Sequence, residues 1–417
     1  MGKGHHSDVI VIGGGVIGVA CAYYLSKAGR HVRILERETI GAGASHANCG
    51  LIVPSHVFPM CLPGTMQKAL KWMLRGDSPL YIRPTFNPRL IGWLLRFGAR
   101  CNTQDMHIAA RARIAMLDHS MTLYRRLIED EKLDCDWEEK GLLFACRTEK
   151  AMDEYALTAS LMEPYGVAAK RLNQVELQAL EPALRDDLVG GWHHQDDAHL
   201  RPERLMSEWR RALDGDVQFE EQCTVTRMDL NPDGVHAVDT PRGPFTADAI
   251  VLATGAWAPQ LAGPLGLNLP VEPGKGYSIT MTRPAVCPAI PVLFCERKSV
   301  ATPWASGYRL GGTMEFSGYR EGLNHVRLDA LRAAGRAYLK DPLGDETVEE
   351  WYGFRPMTYD GIPVISRAPR HPNVYIAAGH NMIGISAAPA SGHLIADLIT
   401  EREPIMDPAP FSIQRFQ

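Results

Sequence analysis

The sequence predicts an α/β fold, and two patterns carry that prediction. Near the N-terminus an apolar β-rich run, Asp8-Val-Ile-Val-Ile12, leads into a glycine turn, a helical stretch and a second β run, His31-Val-Arg-Ile-Leu35. Further on, residues 269–316 alternate short β-like runs with Gly and Pro, as in Tyr308-Arg-Leu-Gly-Gly-Thr-Met314, and helical stretches cover residues 108–131 and 327–338. No internal repeat or low-complexity linker divides the chain.

Composition narrows the class. A chain of 417 residues has length for two or three domains, and 45% hydrophobic with 22% charged residues is ordinary globular usage. Nine scattered Cys, an odd number without a CxxC pair, point to a reducing compartment and hence a cytoplasmic protein. A formal charge of −4 gives no overall attraction to nucleic acid. No secretory signal is seen, and no apolar run reaches the length of a membrane span. The segment 90–98, LIGWLLRFG, is short and interrupted by Arg96, and is expected to be a buried helix.

The N-terminal unit is the most specific part. Gly13, Gly15 and Gly18 fall in GxGxxG spacing between the first strand and a helix from Val16 to about Lys27, which Gly29 closes. Gly13 makes the turn, Gly15 lets backbone approach a pyrophosphate, and Gly18 lets helix pack on strand. The first helical residues, Val16 and Ile17, offer unpaired N–H groups to phosphate. Glu36, at the end of the second strand, suits both ribose hydroxyls and repels the extra phosphate of NADP. Strand, glycines, helix, strand and acid in register make this a Rossmann-like dinucleotide site. Beyond it, Arg37 and the small-residue loop Gly41–Gly50, with Ser45, Asn48, Cys49 and Gly50, suit a long cofactor running past the sheet. A second buried strand ends at Thr254-Gly255, which reads equally as an ordinary turn.

Taken together, VIGGGVIGVACAYYLSKAGRHVRILER, ATGAW (253–257), PGKGYSIT (273–280), WYGFRPMTYDGIPVIS (351–366) and AAGHNMIGISAAPASG (377–392) resemble the FAD-dependent D-amino-acid oxidase/dehydrogenase superfamily, above all its bacterial D-amino-acid dehydrogenase branch. The resemblance covers nearly the whole chain. It implies a Rossmann-like FAD-binding domain built from residues 1–56, 196–256 and 357–417. It also implies a substrate domain of residues 57–195 and 257–356, of α+β type on an antiparallel sheet. FAD is then the tightly bound cofactor and a small amino acid the substrate, with D-proline and a hydroxy-D-proline among the candidates. The implied reaction passes the Cα hydrogen as hydride to flavin N5 and gives the imine. The implied acceptor is a quinone or an electron-transfer protein, which would place the protein at the inner face of the membrane. A glycine- or sarcosine-type oxidase using oxygen, and a flavin electron-transfer subunit of a larger complex, are the alternatives. The oligomeric state stays open.

The same resemblance assigns chemistry to residues. Arg355 in GFRP matches the arginine that binds the substrate carboxylate, a task suited to a guanidinium because its fork fixes the carboxylate plane. Tyr277 is expected to line the same pocket, with Tyr352 and Tyr359 as weaker candidates. His380, Gly384 and Ile385 are expected beside the flavin pyrimidine, where helix N–H groups stabilise the negative charge that reduction leaves. His380 reads equally well as a hydrogen-bonded turn residue. Cys49 is a redox or covalent-attachment candidate, with small buried packing residue as the plainer reading. The run Trp192-His-His-Gln-Asp-Asp-Ala-His199 holds potential metal ligands, but its spacing fits no zinc pattern.

Overall fold

A computed structural model describes residues 6–73, 78–231 and 234–417. The chain starts with β1 (His6–Ile12), α1 (Val16–Lys27), β2 (Val32–Leu35), β3 (Leu51–Ile52), α2 (Thr65–Met73), β4 (Leu80–Ile82), α3 (Pro88–Arg100) and α4 (Thr103–Asp130). It continues through β5 (Leu142–Cys146), α5 (Glu149–Met162), β6 (Lys170–Asn173), α6 (Gln174–Leu180), β7 (Gly190–His194), β8 (Ala198–His199) and α7 (Pro202–Ala212). Next come β9 (Val217–Glu220), β10 (Arg227–Asn231), β11 (Gly234–Thr240), β12 (Gly243–Leu252), α8 (Ala258–Ala262), β13 (Val271–Met281), β14 (Val292–Phe294) and β15 (Ser299–Trp304). The last elements are β16 (Gly307–Phe316), α9 (His325–Tyr338), β17 (Thr347–Thr358), β18 (Val364–Arg367), β19 (Val374–Ala378) and α10 (Gly384–Thr400).

Two sheets organise these elements. The first runs β10-β11-β12-β1-β2-β9, with β19 also pairing β12 and β18 on β19. Its centre is parallel: β1 lies between β12 and β2, and β2 beside β9. The central strands are buried on both faces, which explains their continuous apolar sequence. Helices α1, α4, α7 and α10 pack with them into one core that holds Val19, Ala20, Leu25, Met116, Tyr124, Trp209 and Leu394. The α1–α10 contact is tight because a Cβ on Gly392 would press into the backbone of Ala20.

The second sheet runs β17-β13-β16-β15-β14-β5-β7-β6, with β4 beside β16. It is largely antiparallel, the β14–β5 and β16–β4 pairs excepted. Its two faces differ. Tyr277, Ile279, Leu310 and Leu143 pack with Leu328, Leu331 and Tyr338 of α9. The other face carries a register row: Trp351 pairs Ser278, Ser278 pairs Gly311, Gly311 pairs Val300, Val300 pairs Leu293 and Leu293 pairs Phe144.

One expected element differs. The segment 90–98 forms α3, capped by Asn87, whose side chain accepts from the Arg89 and Leu90 N–H groups. Only Leu90, Trp93 and Phe97 are buried, while Ile91 is 42% and Leu95 71% exposed. Its sequence is apolar on both sides, so hydropathy alone suggests burial that only one face has. Among the described residues no helix is long and apolar enough to cross a membrane.

Candidate active site

The nucleotide cradle grows from the β1–α1 turn. Gly13 has φ +107°, and a Cβ there would stand 2.6 Å from the Ala253 carbonyl oxygen at the end of β12. Gly18 cannot carry a Cβ because the Gly13 carbonyl fills that place. Gly15 is different: a Cβ there would meet only the Ser45 hydroxyl, at 3.3 Å. The protein itself requires glycine at 13 and 18, whereas at 15 the open space belongs to the cavity. Ser45 Oγ accepts the Val16 N–H at 2.9 Å, and the first turn of α1 holds no acidic residue. The Glu36 carboxylate accepts from the Gly14 N–H at 2.6 Å and the Glu38 N–H at 2.9 Å, which fixes it at the mouth of the turn. Beside it the Arg37 guanidinium lies 3.8 Å from the ring centre of Trp257.

A cavity of about 980 Å³ runs from this cradle to the face of the second sheet. Gly13, Gly15, Val16, Ile17, Glu36, Arg37, Ser45, Asn48, Cys49, Gly50, Thr254, Gly255, Gly384 and Ile385 all border it, and so do Arg355, Tyr277 and His380. Gly18 does not; it works behind the cradle, where α1 meets β1. Thr254 Oγ1 is buried in this wall with no hydrogen-bond partner among the described residues. Asn48 is held by Ala44 and Ser45 carbonyls and accepts the Gly50 N–H at 2.9 Å. The open space at Gly15, the orphaned Thr254 hydroxyl and the N–H groups at the start of α1 fit a dinucleotide pyrophosphate. Glu36 and Arg37 stand where its adenosine half would lie.

At the other end Arg355, on β17, lies across Gly276 of β13 and fills the space a side chain there would need. Its Nη1 donates to the Thr313 carbonyl at 3.0 Å. Among the described residues no carboxylate is paired with it, and burial lowers its pKa from the ordinary value. A desolvated cation facing a cavity without an anion is costly, and a bound carboxylate would relieve that cost.

Tyr277 is adjacent in sequence but not in function. Its ring packs in the layer under α9 and its hydroxyl donates to Glu315 at 2.9 Å, so only its main chain can face the side where Arg355 lies. Alternation along β13 causes this, since Gly276 and Tyr277 project to opposite faces. Tyr352 lies over Lys275, and Tyr359 packs on Phe416, so neither ring joins the site.

His380 is buried, and its Nε2 shares a hydrogen bond with Ser391 Oγ at 2.9 Å. Burial lowers its pKa to about 3, so the imidazole is neutral and supplies no positive charge. It borders the cavity as a hydrogen-bonded turn residue. The positive end of a helix there is the first turn of α10, whose start at Gly384 has no side-chain cap and no acidic residue. Cys49 lies against Gly311, and burial raises its thiol pKa, so it is a protonated packing group rather than a thiolate. The His-rich run is used structurally: His194 bonds Tyr155 at 2.6 Å, His193 the Lys140 carbonyl, and Asp197 takes both Ser55 groups. Sequence reasoning missed Gly276, Trp257 and Thr313. Gly276 and Thr313 follow only from the meeting of β13, β16 and β17, and Trp257 only from the turn after β12 that sets its ring under Arg37.

A family model described as DAO, FAD dependent oxidoreductase, matches residues 8–398. A D-amino acid dehydrogenase of Methylobacterium sp. (strain 4-46) is 37% identical over 430 residues, covering 98% of this chain and 99% of its own. A second, from Methylobacterium nodulans, is 38% identical over 411 residues, covering 95% and 96%. The crystal structure of glycine oxidase from Geobacillus kaustophilus matches with a TM-score of 0.80 and 26% identity, over 99% of both chains. The family match, the two near full-length relatives and a cradle that fits the dinucleotide lead to one conclusion: the chain belongs to the DAO family of FAD-dependent oxidoreductases, and FAD is its cofactor.

Proposed function

We propose that the protein is a D-amino-acid dehydrogenase that oxidises a small D-amino acid, with D-proline and hydroxy-D-proline among the substrates to try first. The observation that carries this is Arg355, a half-buried guanidinium with no carboxylate partner among the described residues, in a cavity continuous with the FAD cradle. It would hold the substrate carboxylate in two parallel hydrogen bonds and so orient Cα. So held, the substrate's Cα–H and amine would stand toward the flavin cavity for oxidation to the imine. FAD supplies the two-electron acceptor. The N-terminus of α10 favours the negative charge that arises on reduction. Apolar Val300, Leu293 and Phe144 on the facing sheet exclude water. The two curated relatives described above, both named D-amino acid dehydrogenases, support the choice of substrate class and of a non-oxygen acceptor. The proposal includes the domain division at residues 1–56, 196–256 and 357–417 against 57–195 and 257–356. It also includes a quinone or electron-transfer protein as acceptor, met at the inner face of a membrane.

Anaerobic titration of the yellow protein with D- and L-amino acids, glycine and sarcosine tests this. Bleaching is expected with D-amino acids, without NAD, and rapid return of colour with a quinone. Bleaching by glycine or sarcosine alone, followed by fast reoxidation in air, would move the assignment to an oxygen-using oxidase.

A further inference from the structure

Arg355 and α10 are carried by different sheets, yet the proposed reaction needs them in one register. Arg355 stands on β17 of the second sheet, and β19 of the first sheet leads into α10. Asn381, in the turn between β19 and α10, joins the two. Its main-chain N–H donates to the Pro356 carbonyl at 3.0 Å, one residue past Arg355. Its side-chain Oδ1 accepts the Thr358 N–H at 3.1 Å. Its Nδ2 donates to Thr358 Oγ1 at 2.9 Å and to the Gly379 carbonyl at 2.8 Å. The residue is buried and borders the cavity.

The plain reading is a turn residue. Asn381 has φ +54°, and Asn is one of the few side chains that accept the left-handed region. That accounts for the backbone and not for the side chain. Glycine meets the same φ without strain, whereas the amide of Asn both accepts from Thr358 and donates to it.

We propose that Asn381 is a positioning residue that sets the offset between Arg355 and the first turn of α10. It does so without touching the substrate, and through that offset it fixes how Cα stands toward the flavin. The inference rests on the proposed function for what the two ends hold. Oxidation at Cα is steep in geometry, and about 1 Å of misplacement can cost about a hundredfold in rate. Carboxylate binding asks for no such register, because the arginine fork travels with β17. Loss of the clamp therefore belongs in the rate at saturation and not in affinity.

Anaerobic flavin reduction in the FAD-bound protein is the test. Asn381→Gly keeps the turn and removes the three side-chain bonds. The saturating rate with D-amino acids should fall about tenfold to a hundredfold, while half-saturation moves less than about threefold. Thr358→Val removes one of the same bonds and should lose less, and the double variant should lose no more than Asn381→Gly alone. Pyrrole-2-carboxylate supplies a readout without turnover, being a planar carboxylate with no Cα hydrogen to give. It should bind the parent and Asn381→Gly with the same Kd and displace the flavin absorption band less in the variant. A parental rate, a loss confined to half-saturation, or a rate that falls only as bound FAD falls would each overturn the proposal. If D-amino acids bleach neither protein, the substrate reading falls and the pyrrole-2-carboxylate titration still decides the clamp. Identical spectra in the two proteins, shifted or not, would overturn it.

Discussion

Asp197 is buried with Oδ1 taking the Ser55 N–H at 3.0 Å and Oδ2 the Ser55 hydroxyl at 2.5 Å. Burial pushes its pKa up to about 7. The unfolded chain ionises this group near its ordinary value of about 4, whereas the folded chain keeps its proton until about 7. The unfolded state therefore loses a proton first, and stability falls as pH rises across that window, by up to about 1.4 kcal/mol per unit. Above pH 7 the cost is constant. Asp197→Asn still accepts the Ser55 N–H and can donate its amide to the Ser55 oxygen, without the charge, so its melting temperature should gain on the parent between pH 4 and 7. A gap independent of pH would show that the carboxyl ionises normally. For Arg355→Ala, FAD should stay bound while half-saturation by amino acid rises about tenfold to a hundredfold, the worth of one charge-assisted fork. Arg355→Lys should recover only part. Amino-acid amides should be poor substrates already and lose little more; an equal loss on amides and acids would mean that Arg355 holds the fold. The motif singles out Arg355 in the sequence, and the pairing of β17 with β13 sets it on the cavity wall. Tyr277 borders the cavity while its ring packs under α9, a division the motif cannot show because it gives neighbours along the strand and not the face each takes. His380 is decided only by its burial and its Ser391 bond, which make it neutral.

At the level of elements, Gly15 and Gly18 of the β1–α1 segment make separable predictions. Gly15→Val should give a folded, colourless protein, since its side chain would enter only ligand space. Gly18→Val should lower stability itself, because α1 would have to lift off β1. Calorimetry with absorbance at the flavin band separates the two, and equal melting temperatures would refute the distinction. Gly392→Val should act like Gly18→Val, by parting α10 from α1. The βαβ unit is legible because period, glycines and acid coincide over about thirty residues. The second sheet is legible only in outline. Its β14–β5 pairing joins residues about 150 apart, and no local pattern encodes which strands meet. For α3, apolar residues all round hide the fact that one side faces out.

For the whole molecule, the cavity is walled by both sheets, so FAD bound there would touch both of them. Ligand that binds only the folded state stabilises it by about 2.7 kcal/mol at a hundred times its Kd. Stripped protein should melt several degrees lower, and FAD should restore the value in proportion to the logarithm of its concentration. An unchanged melting temperature would mean that the sheets are fixed without it.

The row Ser278–Gly311–Val300–Leu293–Phe144 acts as a ruler. Strands stand about 4.8 Å apart, so with a carboxylate anchored on Arg355 above β13, Val300 lies about 10 Å away, Leu293 about 14 Å and Phe144 about 19 Å. A substrate so anchored would have each added length of its side group measured against the next strand rather than against a separate loop. Val300→Ala should shift the preferred length outward, Leu293→Trp should shorten it, and a homologous series of unbranched D-amino acids would read the marks in order.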